Sequence, residues 1–152
     1  MKIYFAGDHA GFEMKQKLME FVRSLGHTVE DLGPLEPKAG DDYPDYVIPL
    51  AKKVAGKPST ELRGIVVAGS GQGEIIAMNR IKGARAALFC PGPQMIPLIK
   101  ASRDHNDSNI FAIGARFCTL EEAKKGIIVW LETSFSGDER HIRRLKKIDM
   151  SN

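Results

Sequence analysis

The chain has 152 residues, of which 43% are hydrophobic and 27% charged, and its formal net charge is +3. This length fits one globular domain, so we expect a single domain over residues 1–152. No apolar run reaches the roughly 18 residues that a membrane span requires. The N-terminus leads directly into a strand without the pattern of a secretory signal, which indicates a cytoplasmic protein. The net charge is too small to argue for nucleic-acid binding.

The two cysteines, Cys90 and Cys118, form neither a C-x-x-C pair nor a metal-ligand pattern. The cytosol keeps such thiols reduced, so we expect both to be free and buried or partly buried. Their spacing does not predict a metal site.

Short apolar segments alternate with longer segments of helical periodicity, a pattern typical of a parallel α/β sheet. The predicted strands are Ile3–Ala6, Thr28–Leu32, Gly64–Ala68, Arg85–Phe89 and Asn109–Ile113. The third strand is apolar on both faces, as a central parallel strand should be. The sequence therefore predicts one doubly wound, Rossmann-like α/β domain with five parallel strands and helices on both faces.

Helices are predicted between and after these strands. Apolar residues repeat at spacings of three and four from Leu18 to Leu25, and Gly26 is expected to end this first helix. Further helices are predicted at Tyr46–Ala55, Glu74–Arg80, Gln94–Arg103, Leu120–Leu131 and about Asp138–Ile148. Thr119 followed by Glu122 is the pattern of a capping box, which would start the helix from Leu120.

Ligands of such sheets bind beyond the carboxyl ends of the strands. This rule predicts that the ligand binds near four segments: Asp8 and His9 after the first strand, the turn after the third, Cys90–Gln94 after the fourth and the turn after the fifth. The irregular segment Gly33–Asp42 contains two prolines and a Gly-Asp-Asp turn. It is expected to be a surface loop that borders the site.

The turn after the third strand is Gly69-Ser70-Gly71-Gln72-Gly73, with Glu74 directly behind it. Three glycines let the backbone turn sharply and direct amide groups at an anion. The spacing excludes a dinucleotide fingerprint, which needs glycine or alanine in place of Glu74, and a P-loop, which needs a lysine. Because a carboxylate here would repel a phosphate, the turn better suits an oxyanion that forms only during reaction. Glu74 is then either a helix cap or the base that moves a proton beside a carbonyl.

Two other polar pairs each have two interpretations. Asp8 and His9 form either an N-cap with an exposed histidine or part of the ligand edge. His105 and Asn106 precede the fifth strand, and form either a polar turn or a proton carrier with an oxyanion ligand.

The predicted C-terminal helix is amphipathic. Ile142, Leu145 and Ile148 are expected to form a buried stripe, while Arg140 and Arg144 lie one turn apart on another face. Two arginines at this spacing can bind one phosphate with forked hydrogen bonds. A solvated basic face is the alternative, and a nucleic-acid patch is disfavoured because the cluster is short and lacks aromatic residues.

The chain resembles type B ribose-5-phosphate isomerases of the ribose/galactose phosphate isomerase family. The motifs that carry this resemblance span nearly the whole chain in the family's order: Gly7-Asp8-His9-Ala10-Gly11, Asp42-Tyr43-Pro44, Gly69-Ser70-Gly71-Gln72-Gly73-Glu74, Ala77-x-Asn79-Arg80, Ser102-Arg103-x-His105-Asn106-Asp107 and Arg140-His141-x-x-Arg144. The resemblance implies aldose–ketose isomerisation of a sugar phosphate, most directly ribose 5-phosphate to ribulose 5-phosphate, without metal or cofactor. It also implies a homodimer or homotetramer whose pockets lie between subunits, with no nucleic-acid or membrane partner.

The resemblance further implies roles for single residues. Glu74 would carry a proton between C2 and C1 through a cis-enediolate, held by the amides of residues 69–73, the Ser70 hydroxyl and Asn106. His105, together with Asp8, would open the sugar ring. The substrate-binding residues outside the glycine turn would be Tyr43 at the sugar and His9, Arg116, Arg140, His141 and Arg144 at the phosphate.

Two positions depart from the family's pattern. Ala68 stands where one branch of the family has a cysteine base, so the resemblance is to the branch with a glutamate base. The segment Cys90–Pro97 is longer and richer in proline than usual, which leaves a six-carbon 6-phosphate or a four-carbon phosphate as alternative substrates. A non-catalytic phosphate-binding module is the alternative from another functional class.

Overall fold

In a computed structural model, which describes residues 1–150, five parallel strands form one sheet. The strands are β1 (Lys2–Gly7), β2 (Thr28–Asp31), β3 (Leu62–Ala68), β4 (Ala86–Leu88) and β5 (Ile110–Gly114). Their order is β2-β1-β3-β5-β4, and every neighbouring pair is parallel. The predicted parallel sheet is confirmed, and the strand predicted to be central lies at its middle.

Helices cover both faces of the sheet, as predicted. They are α1 (Phe12–Ser24), α2 (Pro44–Val54), α3 (Gln72–Met78), α4 (Met95–Asp104), α5 (Leu120–Glu132) and α6 (Glu139–Met150). Successive side chains of a strand point to opposite faces. Ile3 and Phe5 accordingly pack with α1, α4 and α5, whereas Tyr4 and Ala6 pack with α2 and α3. None of these helices is long and apolar enough to cross a membrane.

The helix ends follow the local sequence signals. α1 ends at Ser24, and Gly26 adopts a φ of +86° just beyond it. The capping box at the start of α5 is present, with Glu122 N–H donating to the Thr119 hydroxyl at 3.2 Å and the Glu122 carboxylate accepting from Thr119 N–H at 2.8 Å. Such a cap stabilises a helix by about 1 kcal/mol.

The predicted burial of the stripe on α6 is wrong for the single chain. Ile142 is 37% exposed and Ile148 is 53% exposed, whereas His141 is 4% exposed. The reason is that α6 packs little against the two helical layers, so its apolar face finds no layer to cover it.

The expectation for the thiols holds for Cys118, which is half-buried, and is wrong for Cys90, which is exposed. Cys90 lies just beyond β4, a short strand at the edge of the sheet, where fewer neighbours surround the chain. Both thiols are free.

Candidate active site

The turns that follow β1 and β3 meet at the carboxyl edge of the sheet because these strands are direct neighbours, with Gly7 in register with Val67. The Asp8 carboxylate joins the two turns. Its Oδ1 accepts a hydrogen bond from the Gly11 amide at 2.8 Å, and its Oδ2 accepts one from the Gly69 amide at 3.0 Å. Both oxygens therefore accept hydrogen bonds from backbone amides, and the Gly69 amide already donates to Asp8.

The glycine turn leads directly into α3. Gly71 precedes the helix with a φ of +78°, a backbone conformation that other residues rarely adopt. The Ser70 hydroxyl accepts a hydrogen bond from the Gln72 amide at 3.3 Å. These contacts place Glu74 in the first turn of α3, with only 4% of its surface exposed.

Burial in this edge raises the pKa of the Glu74 carboxyl above its ordinary value. Its own backbone amide acts in the opposite direction, while the negative charges of Asp8 and Asp41 raise the pKa further. A carboxylate with a raised pKa is a stronger base than an exposed glutamate, which suits it to accept a proton from carbon.

Two larger side chains cover the glycine turn. The Tyr43 hydroxyl lies so close to Gly73 that a Cβ there would meet it at 2.5 Å. The Arg116 guanidinium lies over Gly69 in the same manner, at 3.3 Å from such a Cβ, and the Arg116 amide donates to the Gly69 carbonyl at 3.2 Å. Glycine at these two positions leaves room for a phenol and a cation beside Glu74.

The His9 ring lies at hydrogen-bond distance from the carboxylate of Asp41, a residue that the sequence motifs did not indicate as part of the site. Nδ1 of His9 lies 2.6 Å from Oδ1 of Asp41. The Asp41 side chain is 2% exposed and that of His9 is 36% exposed, so the ring faces the opening and the carboxylate lies behind it. The only signal in the sequence was the Gly-Asp-Asp turn at the end of the Gly33–Asp42 loop.

The structure thus brings together ten predicted site residues, which we call the carboxyl-edge cluster. They are Asp8, His9, Tyr43, Gly69, Ser70, Gly71, Gln72, Gly73, Glu74 and Arg116.

The other predicted site residues of the same chain lie at the opposite edge of the sheet. Gly64 pairs with Ile110 and Ala68 pairs with Gly114, so β3 and β5 run side by side in one direction. Glu74 follows the end of β3, whereas His105 precedes the start of β5. At about 3.3 Å per residue, the length of β5 alone separates the two edges by ~13 Å.

These remaining residues, His105, Asn106, Arg140, His141 and Arg144, form what we call the amino-edge cluster. The rings of His105 and His141 lie 4.6 Å apart between centroids, and Nδ1 of His141 is 2.9 Å from the Ser136 hydroxyl. The His105 side chain is half exposed, and Arg140 and Arg144 are exposed on α6. The amino edge therefore presents two arginines and a histidine outward.

Two further observations concern possible metal ligands among residues 1–150 and the Cys118 thiol. No group of three or more histidine, cysteine, aspartate or glutamate side chains in this range is arranged to hold a metal ion. Burial, with a smaller effect of the Glu122 charge, raises the pKa of the Cys118 thiol to about 11. This thiol is therefore protonated near neutral pH.

Comparison with known proteins gives concordant matches. The family model described as Ribose/Galactose Isomerase matches residues 3–148. Ribose-5-phosphate isomerase B of Mycobacterium tuberculosis H37Rv is 37% identical over 145 residues, which are 95% of this chain and 86% of that protein. The solved ribose 5-phosphate isomerase of Thermotoga maritima has a TM-score of 0.86 and 38% identity, over 98% of this chain and 97% of that one. Ribose-5-phosphate isomerase B of Mycoplasma genitalium, solved with bound ribulose-5-phosphate, has a TM-score of 0.87 and 33% identity, over 99% and 95%.

The parallel sheet and these matches over nearly the whole chain define an aldose–ketose isomerase that acts on a phosphorylated sugar. The chain belongs to the ribose/galactose isomerase family, and the relatives that it matches are type B ribose-5-phosphate isomerases. The resemblance found in the motifs is confirmed.

Proposed function

We propose that the protein interconverts ribose 5-phosphate and ribulose 5-phosphate through a cis-enediolate, with Glu74 as the base. The observation that carries this proposal is the buried Glu74 carboxylate, whose pKa is raised, directly behind a glycine turn. The substrate is supported by the name of the mycobacterial relative and by the ligand of the Mycoplasma structure.

In the proposed reaction, Glu74 takes the proton from C2 of the open-chain aldose. The electrons of the C2–H bond form the C1–C2 double bond, and those of the C1 carbonyl move onto its oxygen. Glu74 then returns the proton to C1, while the proton of the C2 hydroxyl passes to the C1 oxygen and a carbonyl forms at C2. A base with a raised pKa suits both steps because it must first hold the proton and then release it.

The negative oxygen of the intermediate would be stabilised at the glycine turn. The first amides of a helix have no partner within the helix, so those of Gly71 and Gly73 are proposed as donors. The Ser70 hydroxyl is the third. The Gly69 amide is left out because it donates to Asp8.

We further propose that a second copy of the chain supplies the amino-edge cluster. Within one chain this cluster lies at the other edge of the sheet from Glu74, so it cannot serve the same pocket. The exposed apolar residues of α6 are suited to an interface between copies. His9 and Arg116 of one copy would then bind the phosphate together with Arg140 and Arg144 of the other, while His105 and Asn106 would act at the sugar.

Glu74→Gln tests the base assignment, because the amide has the shape of the carboxyl group but cannot accept the proton. We expect kcat to fall roughly 10²- to 10⁴-fold, the usual contribution of a general base. Exchange of the C2 proton with deuterated water should fall in parallel. Glu20→Gln, on the exposed side of α1, is the matched control and should keep full activity. Near-native turnover of Glu74→Gln would refute the assignment.

A second candidate substrate is a six-carbon 6-phosphate or a four-carbon phosphate. It is motivated by the proline-rich segment Cys90–Pro97, which follows β4 close to the glycine turn: a Cβ on Gly71 would meet Leu88 at 2.7 Å. Values of kcat/KM for aldose phosphates of four, five and six carbons separate the candidates. A strong preference for ribose 5-phosphate would exclude the other two.

A further inference from the structure

Asp41 lies behind His9 on a loop that is held at both ends. Near its start, Nζ of Lys15 is bound to both Asp31 oxygens, at 2.7 and 2.9 Å, and to the Pro34 carbonyl at 2.7 Å. Near its end, the Asp41 amide donates to the Lys38 carbonyl at 3.2 Å, and α2 begins at Pro44. The loop therefore presents the Asp41 carboxylate from a defined position.

The two oxygens of Asp41 have different surroundings. Oδ1 is bound to His9, whereas Oδ2 is buried and has no hydrogen-bond partner among residues 1–150. A buried carboxylate with a single partner is costly unless a nearby cation compensates its charge. His9 is the group in contact with it that can carry this charge.

The hydrogen bonds that His9 would make also require a positively charged ring, with a hydrogen on each nitrogen. A carboxylate only accepts, so Nδ1 must donate its hydrogen to Asp41. A phosphate oxygen also accepts, so Nε2 must carry a hydrogen when it binds phosphate. A neutral ring carries only one hydrogen, and the Asp41 charge behind it would repel the phosphate.

We propose that Asp41 is a positioning residue for the phosphate end of the substrate: it acts through His9, whose ring it orients and holds with hydrogen on both nitrogens. This inference rests on the proposed function, which places the phosphate at His9. The proposed role of Asp41 differs from that of Asp8, whose two carboxylate oxygens accept hydrogen bonds from backbone amides.

A double-mutant cycle tests whether Asp41 acts through His9. We expect Asp41→Ala to raise KM for ribose 5-phosphate and Ki for inorganic phosphate roughly tenfold or more, with little change in kcat at a pH where Glu74 is ionised in both proteins. Asp41→Asn should raise both constants less, because its amide oxygen still accepts a hydrogen bond from Nδ1. Some effect should remain, because the neutral amide does not stabilise a positive charge on the ring. Once His9 is replaced by alanine, Asp41→Ala should raise neither constant further. Glu36→Gln removes an exposed charge from the same loop and should leave all constants unchanged.

Nitrogen NMR of the His9 ring gives a readout independent of catalysis. With inorganic phosphate bound, both ring nitrogens of the parent should show the shifts of a protonated imidazolium. In Asp41→Ala at the same pH, the spectrum should move toward the neutral form.

The outcomes separate failure of this inference from failure of the proposed function. Effects of Asp41→Ala that persist in the His9→Ala background, or that fall on kcat, would overturn the inference and indicate action on Glu74. An unchanged KM and Ki in His9→Ala would overturn it together with the assignment of His9 to the phosphate. Near-native turnover of Glu74→Gln would instead overturn the base, whatever the result for Asp41.

Discussion

At the scale of single residues, Glu74 combines a buried position with two neighbouring carboxylates, an arrangement that opposes its ionisation. The proposed reaction needs the ionised form, so the residue would trade stability for basicity. Sequence spacing indicated Glu74 because it directly follows three glycines. Its electrostatic environment was not predictable, because Asp41 enters it from a separate loop.

The raised pKa of Glu74 predicts how stability depends on pH. In the unfolded chain the group titrates near 4.5, and in the folded chain it titrates higher. The folded state thus binds the proton more tightly, and stability is lost as the pH rises from the unfolded pKa through the folded one. Glu74→Gln cannot ionise, so we expect it to match the parent at acidic pH and to exceed its Tm at neutral pH. Thermal melts of both proteins across this range test the prediction, which equal Tm values at every pH would contradict.

The same pKa predicts the acid side of the activity profile. Because the base must be ionised, kcat should fall as the pH drops, with a midpoint above the ordinary glutamate value of 4.5. A profile of kcat against pH, measured at saturating ribose 5-phosphate, provides the check. A midpoint at or below the ordinary value would show that burial does not control the base.

At the scale of elements, the two ends of α5 are stabilised in different ways. Its start has the capping box formed by Thr119 and Glu122, which are local in sequence. At its end, Arg63 of β3 donates to the Trp130 carbonyl at 2.8 Å and to the Leu131 carbonyl at 3.1 Å, and Arg103 of α4 donates to the Thr133 carbonyl at 3.1 Å. The last carbonyls of a helix have no hydrogen-bond partners within the helix, and the negative end of the helix dipole favours a cation. The two arginines supply both the hydrogen-bond donors and the positive charge. Local reasoning predicted the start of α5 but not the two arginines at its end.

Arg63→Met tests the capping of α5. Methionine fills much of the same space but cannot donate, so carbonyls at the end of the helix would lose their partners. We expect the free energy of unfolding to fall by about 3 kcal/mol, since hydrogen bonds from charged groups are each worth roughly 1.5–3 kcal/mol. Urea denaturation measures this loss, and Arg23→Met at an exposed position of α1 is the control. A loss as small as that of the control would mean that these bonds add little.

At the scale of the whole molecule, the predicted site residues divide between two edges of one sheet. The strand order β2-β1-β3-β5-β4 places the turns after β1 and β3 together, and it leaves His105 at the start of β5. A pocket that needs both clusters therefore requires two chains. In a symmetric dimer, each copy would contribute the carboxyl-edge cluster to one pocket and the amino-edge cluster to the other.

Complementation between inactive variants tests this arrangement. Glu74→Gln changes the carboxyl-edge cluster, and Arg140→Ala with Arg144→Ala changes the amino-edge cluster. A mixed dimer of the two contains one pocket with both changes and one with neither. After unfolding and joint refolding in equal amounts, we expect about one quarter of the parent activity, because half of the dimers are mixed and each has one intact pocket.

The control for complementation mixes Glu74→Gln with His9→Ala. Both changes lie in the carboxyl-edge cluster, so no pocket is restored to the parent form. Recovery in this control equal to that of the test mixture would contradict the division into two clusters. If the parent recovers its activity under the same refolding procedure, absence of recovery in the test mixture would contradict the sharing of pockets between two chains.

Features that depend on neighbours along the chain could be predicted before the fold was known. The β3 strand, the capping box at Thr119 and the placement of Glu74 behind its glycine turn follow from local spacing and backbone preference. Contacts between residues far apart in sequence became visible only in the folded chain. The fold places Asp41 behind His9, brings Arg63 to the end of α5 and separates His105 from Glu74 by the length of a strand. These distances depend on the order and direction of the strands, which no local pattern of side chains specifies.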